Sequence, residues 1–178
     1  MQATILLFDR FTALEAVGAH DALAGTPKMD VTFIAERVGP IRDDTRRLQL
    51  TADAALSEFP HPDIVVFPGG PGAQQHLVNG TVHQWLRAAD CRAQWMLAIG
   101  SGSTVLAAAG LLRGVSVSAT DTTGRLLREH GARPATQAVV IDGKYGTAAD
   151  GADAGVLIRN VLHRRFHPPH HPIERNYT

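Results

Sequence analysis

QWMLAIGSGSTVLAAAGLLRG, residues 94–114, decides the fold. It opens as a continuous apolar run, as expected of a strand buried on both faces. The run halts at Gly100-Ser101-Gly102 and resumes as an alanine-rich helix. Sharp turns between a buried strand and a helix are where enzymes mount a nucleophile. The residue at this tip is glycine, which has no side-chain atom to attack with. Glycine does tolerate the strained backbone angles that such a turn imposes. Its missing side chain is expected to open a small space above the turn, fit for water or part of a ligand.

Outward from this stretch the same alternation recurs. ATILLF (3–8), MDVTFIAE (29–36), PDIVVF (62–67) and VSVSAT (115–120) read as strands. FTALEAVGAHDALAG (11–25) reads as a helix, with Thr12 as N-cap and Leu14, Val17 and Leu23 at helical spacing. TVHQWLRAAD (81–90) follows a break at Asn79-Gly80, and DTTGRLLREHG (121–131) is expected to be capped by Asp121 and stopped by Gly131. RRLQLTAD (46–53) is a short extended piece, and QAVVIDGKYGTA (137–148) is strand-turn-strand about Asp142-Gly143. The last helix is GADAGVLIRNVLHRRF (151–166). Apolar strands alternating with helices predict a three-layer α/β/α sandwich, flavodoxin-like, with a largely parallel sheet. Residues 1–166 form one domain in this reading, and the Pro- and His-rich stretch 167–178 an extended arm.

Bulk properties narrow the function. The chain has 178 residues, one ordinary domain, and 44% of them are hydrophobic. Its 17 Lys and Arg balance 17 Asp and Glu, which argues against nucleic-acid or anionic-membrane binding. The one cysteine, Cys91, forbids an intrachain disulfide and is expected to be small and semi-buried at the end of the sheet away from the turn. The first ten residues lack a basic leader, and no apolar stretch reaches the length of a membrane helix, so a cytoplasmic location is expected. No cofactor is implied: GSGSTVLAAAG has neither a P-loop lysine nor dinucleotide glycine spacing. His167, His170 and His171 lack the rigid spacing of a metal site. The mixed charges of RDDTRR (42–47) read as a solvated turn or a dimer contact.

In open sheets of this kind ligands bind at the carboxyl ends of the strands, where residues 9–15, 68–72 and 100–103 converge. FDRFTALEAVGAHDAL (8–23), DIVVFPGGPGAQQHL (63–77), AIGSGSTVLAAAGLLRG (98–114) and VVIDGKYGTAADGADAGVLI (139–158) together resemble the ThiJ/PfpI superfamily, of glutamine-amidotransferase-like fold. Within it the chain most resembles the isonitrile hydratase branch, and it is also similar to the ligand-sensing domains of AraC-type regulators. The resemblance covers residues 3 to 166. It implies a cysteine nucleophile where Gly100 stands, a carboxylate above it where Glu15 stands, and often a histidine near Thr120. The hydratases carry aspartate at the Glu15 position. Ala19 stands for a proline, and Asp153 for a small polar residue. Homodimers are common in the family, so a homodimer is expected.

Among the residues themselves Glu15 carries most weight. A carboxylate within an apolar helix start faces a cleft, and burial would raise its pKa toward general acid/base duty. The alternative is a carboxylate hydrogen-bonded to the glycine turn for structure alone. Gly69 and Gly70 form a tight turn, and the N–H groups of Gly70 and Ser101 are candidate donors to a developing oxyanion. Ser101 offers a hydroxyl beside Glu15, without a clearly assigned histidine partner. Thr120 and Asp121 are candidates for the pocket wall, and His20 for its rim or a partner chain. Two functions follow: an acid/base enzyme acting on a small molecule by hydration, dehydration, isomerisation or cyclisation, or a non-catalytic small-molecule-binding sensor. A structural dimer is a third.

Overall fold

The computed structural model describes residues 1–166. In chain order these form β1 (Gln2–Leu6), α1 (Ala13–Ala24), β2 (Asp30–Ala35), β3 (Gly39–Arg42), β4 (Gln49–Ala52), β5 (Ala54–Ala55), β6 (Ile64–Phe67), α2 (Gly80–Asp90), β7 (Trp95–Ile99), α3 (Gly102–Ala108), β8 (Ser116–Ser118), α4 (Gly124–Glu129), β9 (Arg133–Ala135), β10 (Val139–Asp142), β11 (Tyr145–Ala148) and α5 (Ala154–Phe166). Seven strands make the main sheet, in the order β10-β11-β7-β6-β1-β2-β5. Every neighbouring pair is parallel except β10 and β11. All four residues of β6 are buried, as are the last four of β1 and of β7, so the apolar runs are strands covered on both faces.

Connectivity places the helices. From β1 the chain crosses to β2 in one direction, and from β6 to β7 in the other. Right-handed crossovers then put α1 and α2 on opposite faces, which makes the flavodoxin-like three-layer sandwich expected from the sequence. The side-by-side β1 and β6 lead outward in opposite directions, so the crevice at their carboxyl ends is a topological switch point.

Several local expectations are corrected. In α1 the buried residues are Glu15, Ala16, Ala19 and Leu23, while Leu14 is 60% and Val17 42% exposed. Periodicity found the helix and placed Leu23 on its inner face correctly, but not Leu14 and Val17. Thr12 stands at the N-cap position without a capping side-chain bond; its hydroxyl meets Asp44 Oδ2 at 3.4 Å. Asp121 does not cap α4, which begins at Gly124: the Thr120 N–H donates to Thr123 Oγ1 instead. Gly131, at φ +83°, does end that helix, and Gly143, at φ +60°, makes the β10–β11 turn. Cys91 is exposed rather than semi-buried.

The RDDTRR stretch is more than a solvated turn. Asp43 is buried and organises the β3–β4 hairpin, accepting the N–H groups of Arg47 and Leu48 and the Thr45 hydroxyl. Burial alone would raise its pKa, but these bonds outweigh it and hold the carboxyl below its ordinary value. The arm 167–178, with His167, His170 and His171, lies outside the described residues.

Candidate functional site

The site is built on the strand-to-helix turn after β7. Gly100 has φ +53°, the left-handed region that favours glycine. Gly102, two residues on, packs so closely on β6 that an added Cβ would lie 2.3 Å from the Phe67 carbonyl oxygen. The turn is therefore pressed against the end of β6. From there the chain leaves through Gly69 and Gly70 into a 3-10 helical turn, Pro71–Leu77. Gly70 has φ +130°, and a Cβ on it would meet the Arg10 carbonyl oxygen at 2.5 Å. Three backbone segments thus touch at one point, at a spacing that only glycines permit.

Glu15, 6% exposed, reaches into this point from the first turn of α1. The Gly69 N–H donates to its Oε2 in a short bond. Its other oxygen, Oε1, is 2.6 Å from where a Cβ on Gly100 would sit. The space above the turn is therefore taken by the carboxyl group rather than left open, which corrects the expectation of a vacant pocket there. Oε1 accepts no hydrogen bond from the protein. Among the described residues no side-chain oxygen or nitrogen is both buried and unpartnered, so Oε1 reaches solvent. One oxygen is anchored and the other is free to exchange a proton.

Burial pushes the Glu15 carboxyl up from 4.5 to about 7; the Gly69 bond pulls against this, and the charges of Asp150 and Asp44 add to it. Its titration is thereby moved from the ordinary carboxylate range toward neutral pH.

Ser101 lies alongside. Its hydroxyl accepts the Gly70 N–H at 3.0 Å and donates to the Gly70 carbonyl at 3.2 Å. The Gly69 and Gly70 N–H groups are thus both engaged within the protein. Beside Ser101 opens a groove of about 360 Å³, walled by Gly70, Gln74, Leu77, Thr122, Thr123 and Leu126 among others. Thr120 and Asp121, the expected wall, line a separate groove with Arg125 and Arg128. The segment is the expected one, but its register differs by two residues. His20 stacks on Phe33 at 5.1 Å rather than standing at the site.

Sequence reasoning missed a buried histidine pair. His76 packs edge-on against Phe8, with ring centroids 5.0 Å apart, and His83 Nε2 bonds its carbonyl at 2.7 Å. The available signal was Asn79, a helix-capping residue directly before Gly80: its Oδ1 accepts the Val82 N–H, and its Nδ2 faces His76 Nδ1 at 3.3 Å. Among the described residues no cluster of His, Cys, Asp and Glu could hold a metal ion, and no helix is long and apolar enough to cross a membrane.

A largely parallel α/β sandwich with a buried carboxyl set against a strand-to-helix turn defines the class of protein. The chain belongs to the DJ-1/PfpI family, whose model matches residues 1–164. It is 30% identical over 156 residues to an isonitrile hydratase of Pseudomonas putida, covering 88% of this chain and 68% of that protein. Among solved structures it is similar to a ThiJ/PfpI family protein from Pseudomonas syringae, at TM-score 0.80 and 21% identity over 99% of this chain and 78% of the other. An AraC family transcriptional regulator from Pseudomonas putida shares the fold, at TM-score 0.79 and 18% identity over 93% of this chain and 91% of the other.

Proposed function

We propose that this protein is an enzyme that moves protons on a small molecule without a cysteine nucleophile, with Glu15 as general acid and base. One observation carries the reading: the Glu15 carboxyl is buried, anchored through Oε2, open through Oε1 and poised at about 7. The resemblance of the 98–114 stretch implies a cysteine at the position of Gly100, and the Glu15 carboxyl group takes up the room a Cβ there would need. The reaction class is addition or removal of water, isomerisation or ring closure.

For hydration of an isonitrile, the activity named for the Pseudomonas putida relative, the proton balance is simple. Protonated Glu15 gives its proton to the terminal carbon. Water adds to the same carbon, the carboxylate takes back a proton to leave a formimidic acid, and transfer of the remaining O–H proton to nitrogen gives the N-substituted formamide. In this reading the body of the ligand lies in the groove beside Ser101, its reacting end directed past Ser101 toward Glu15, which is not itself a wall of that groove, and the Ser101 hydroxyl hydrogen-bonds the attacking water.

A second reading is favoured by a separate observation. The Gly69 N–H is committed to Glu15 and the Gly70 N–H to Ser101, which leaves few free donors for a transition state. On that reading the groove binds a ligand and Glu15 holds it, without turnover. Product formation from a panel of small isonitriles and cyclisable or hydratable compounds separates the two. Turnover that falls about 10²- to 10⁴-fold in Glu15→Gln is the expected result. Turnover unchanged in Glu15→Gln removes Glu15 from the mechanism. Ligands that raise the melting temperature without product support the sensor.

A further inference from the structure

The carboxyl ends of β1 and β2 open on a second groove, of about 510 Å³, within the range of small-molecule sites. The Pro71–Leu77 turn divides it from the groove beside Ser101: Gln75 and His76 line one, Gln74 and Leu77 the other. Phe8, Ala35, Val38 and Ile41 form the apolar part of its walls, and Asp9, Glu36, Arg37, Gln75 and His76 the polar part. The β3 strand supplies Ile41, so the hairpin that Asp43 organises closes one side.

One polar group is aimed into these walls with a defined proton. Asn79 Oδ1 accepts the Val82 N–H, which fixes its amide; Nδ2 then donates to Glu36 Oε2 at 3.1 Å and to His76 Nδ1 at 3.3 Å. His76 Nδ1 is the acceptor, so the proton sits on Nε2. Burial pushes the His76 pKa below its usual 6.5, with Glu36 opposing and His83 adding, so the ring is neutral near pH 7. Nε2 has no partner within the protein. It is not fully enclosed, and His76 lines this groove. Asp9, Glu36 and Arg37 bring charge to the groove, and Arg46, outside its lining, holds Asp9 at 3.2 Å. The charges offset, so the site suits an uncharged ligand.

We propose that this groove is a second binding site, for a neutral, flat molecule whose carbonyl oxygen accepts the His76 Nε2–H while its apolar body lies against Phe8, Val38 and Ile41. The site is independent of the Glu15 chemistry. Benzamide, benzoate and ethylbenzene, titrated into ¹⁵N-labelled protein, test it. Benzamide is expected to move the His76 Nε2 resonance and the amides of residues 35–41, and to bind at least five-fold more tightly than the other two. His76→Phe removes that preference. Val38→Trp, at a position 58% exposed and therefore harmless to the core, fills the groove and abolishes the shifts with the melting temperature unchanged. Should His76→Phe fail to fold, Val38→Trp decides. Shifts confined to Gly70 and Thr122, equal affinity for the three probes, undiminished binding in folded Val38→Trp, or no shifts at all would each overturn the proposal.

Discussion

Glu15 and His76 are buried titratable groups at the two ends of segment 69–77, Glu15 bonded to Gly69 and His76 within its last turn, and burial acts on them in opposite senses. The carboxyl is pushed up to about 7, and the imidazole is pushed below 6.5. Both are therefore driven toward their neutral forms, because the charged form is the one that loses its water. Each has one atom anchored and one without a protein partner. They differ in what holds them. Glu15 is fixed by a backbone N–H that no substitution other than proline removes, whereas His76 depends on the Asn79 side chain. The Glu15 corner is the more rigid of the two, and the His76 corner the more easily retuned.

The stretch from Gly69 to His76 is the place to break both at once. A Cβ on Gly72 would lie 1.8 Å from the Asp9 carbonyl oxygen, a backbone atom that cannot step aside. Gly72→Ala is expected to cost about 3 kcal/mol or more, read as a fall in the urea midpoint.

The pH dependence of stability sharpens the comparison. Glu15 has a folded pKa of about 7 against 4.5, so the folded chain holds its proton longer than the unfolded one. Its contribution is full below pH 4.5 and is lost as pH rises through 7, on the order of 3 kcal/mol in all. His76 and His83 are lowered from 6.5, chiefly by burial, so their contribution is full above 6.5 and is lost as pH falls. Denaturant unfolding between pH 4 and 8 shows the two limbs. Glu15→Gln is expected to remove the loss toward neutral pH and leave only the loss toward acid. If the wild-type and Glu15→Gln profiles run parallel, Glu15 is not buried in its charged state.

Gly100→Ala tests the smaller corner alone. It places a side chain at φ +53° and sets a Cβ 2.6 Å from Glu15 Oε1. The expected cost is about 1–2 kcal/mol, with the carboxyl displaced toward water and its pKa lowered. Asn79→Ala should have the smallest effect, about 1 kcal/mol for the lost cap, and should shift His76 without moving the Glu15 midpoint. An NMR titration of both groups in the variant checks this.

The two corners were unequally legible in the sequence. Glu15, Gly69, Gly70, Gly100 and Ser101 flank strand ends, and apolar runs that stop at glycines reveal strand ends directly. The main sheet followed from the same runs. The inner face of α1 did not: Leu14 and Val17 are exposed while Glu15 is buried, because the carboxyl finds a backbone partner that periodicity cannot see. His76 was equally hidden, since it packs on Phe8, just past the end of β1, and on Phe67, at the end of β6, contacts that only the fold brings together. Thr122 and Thr123 replaced Thr120 and Asp121 in the groove because α4 starts later than an Asp cap would dictate. Short helices set by tertiary contacts blur register in this way.

The most direct test of the account is the pKa of Glu15 itself, measured by ¹³C NMR of side-chain carboxyls in the full chain, with Glu15→Gln identifying the resonance. A midpoint near 7 is predicted. A midpoint near 4.5 would mean a solvated carboxylate, and would contradict both the burial and the acid/base role assigned to it.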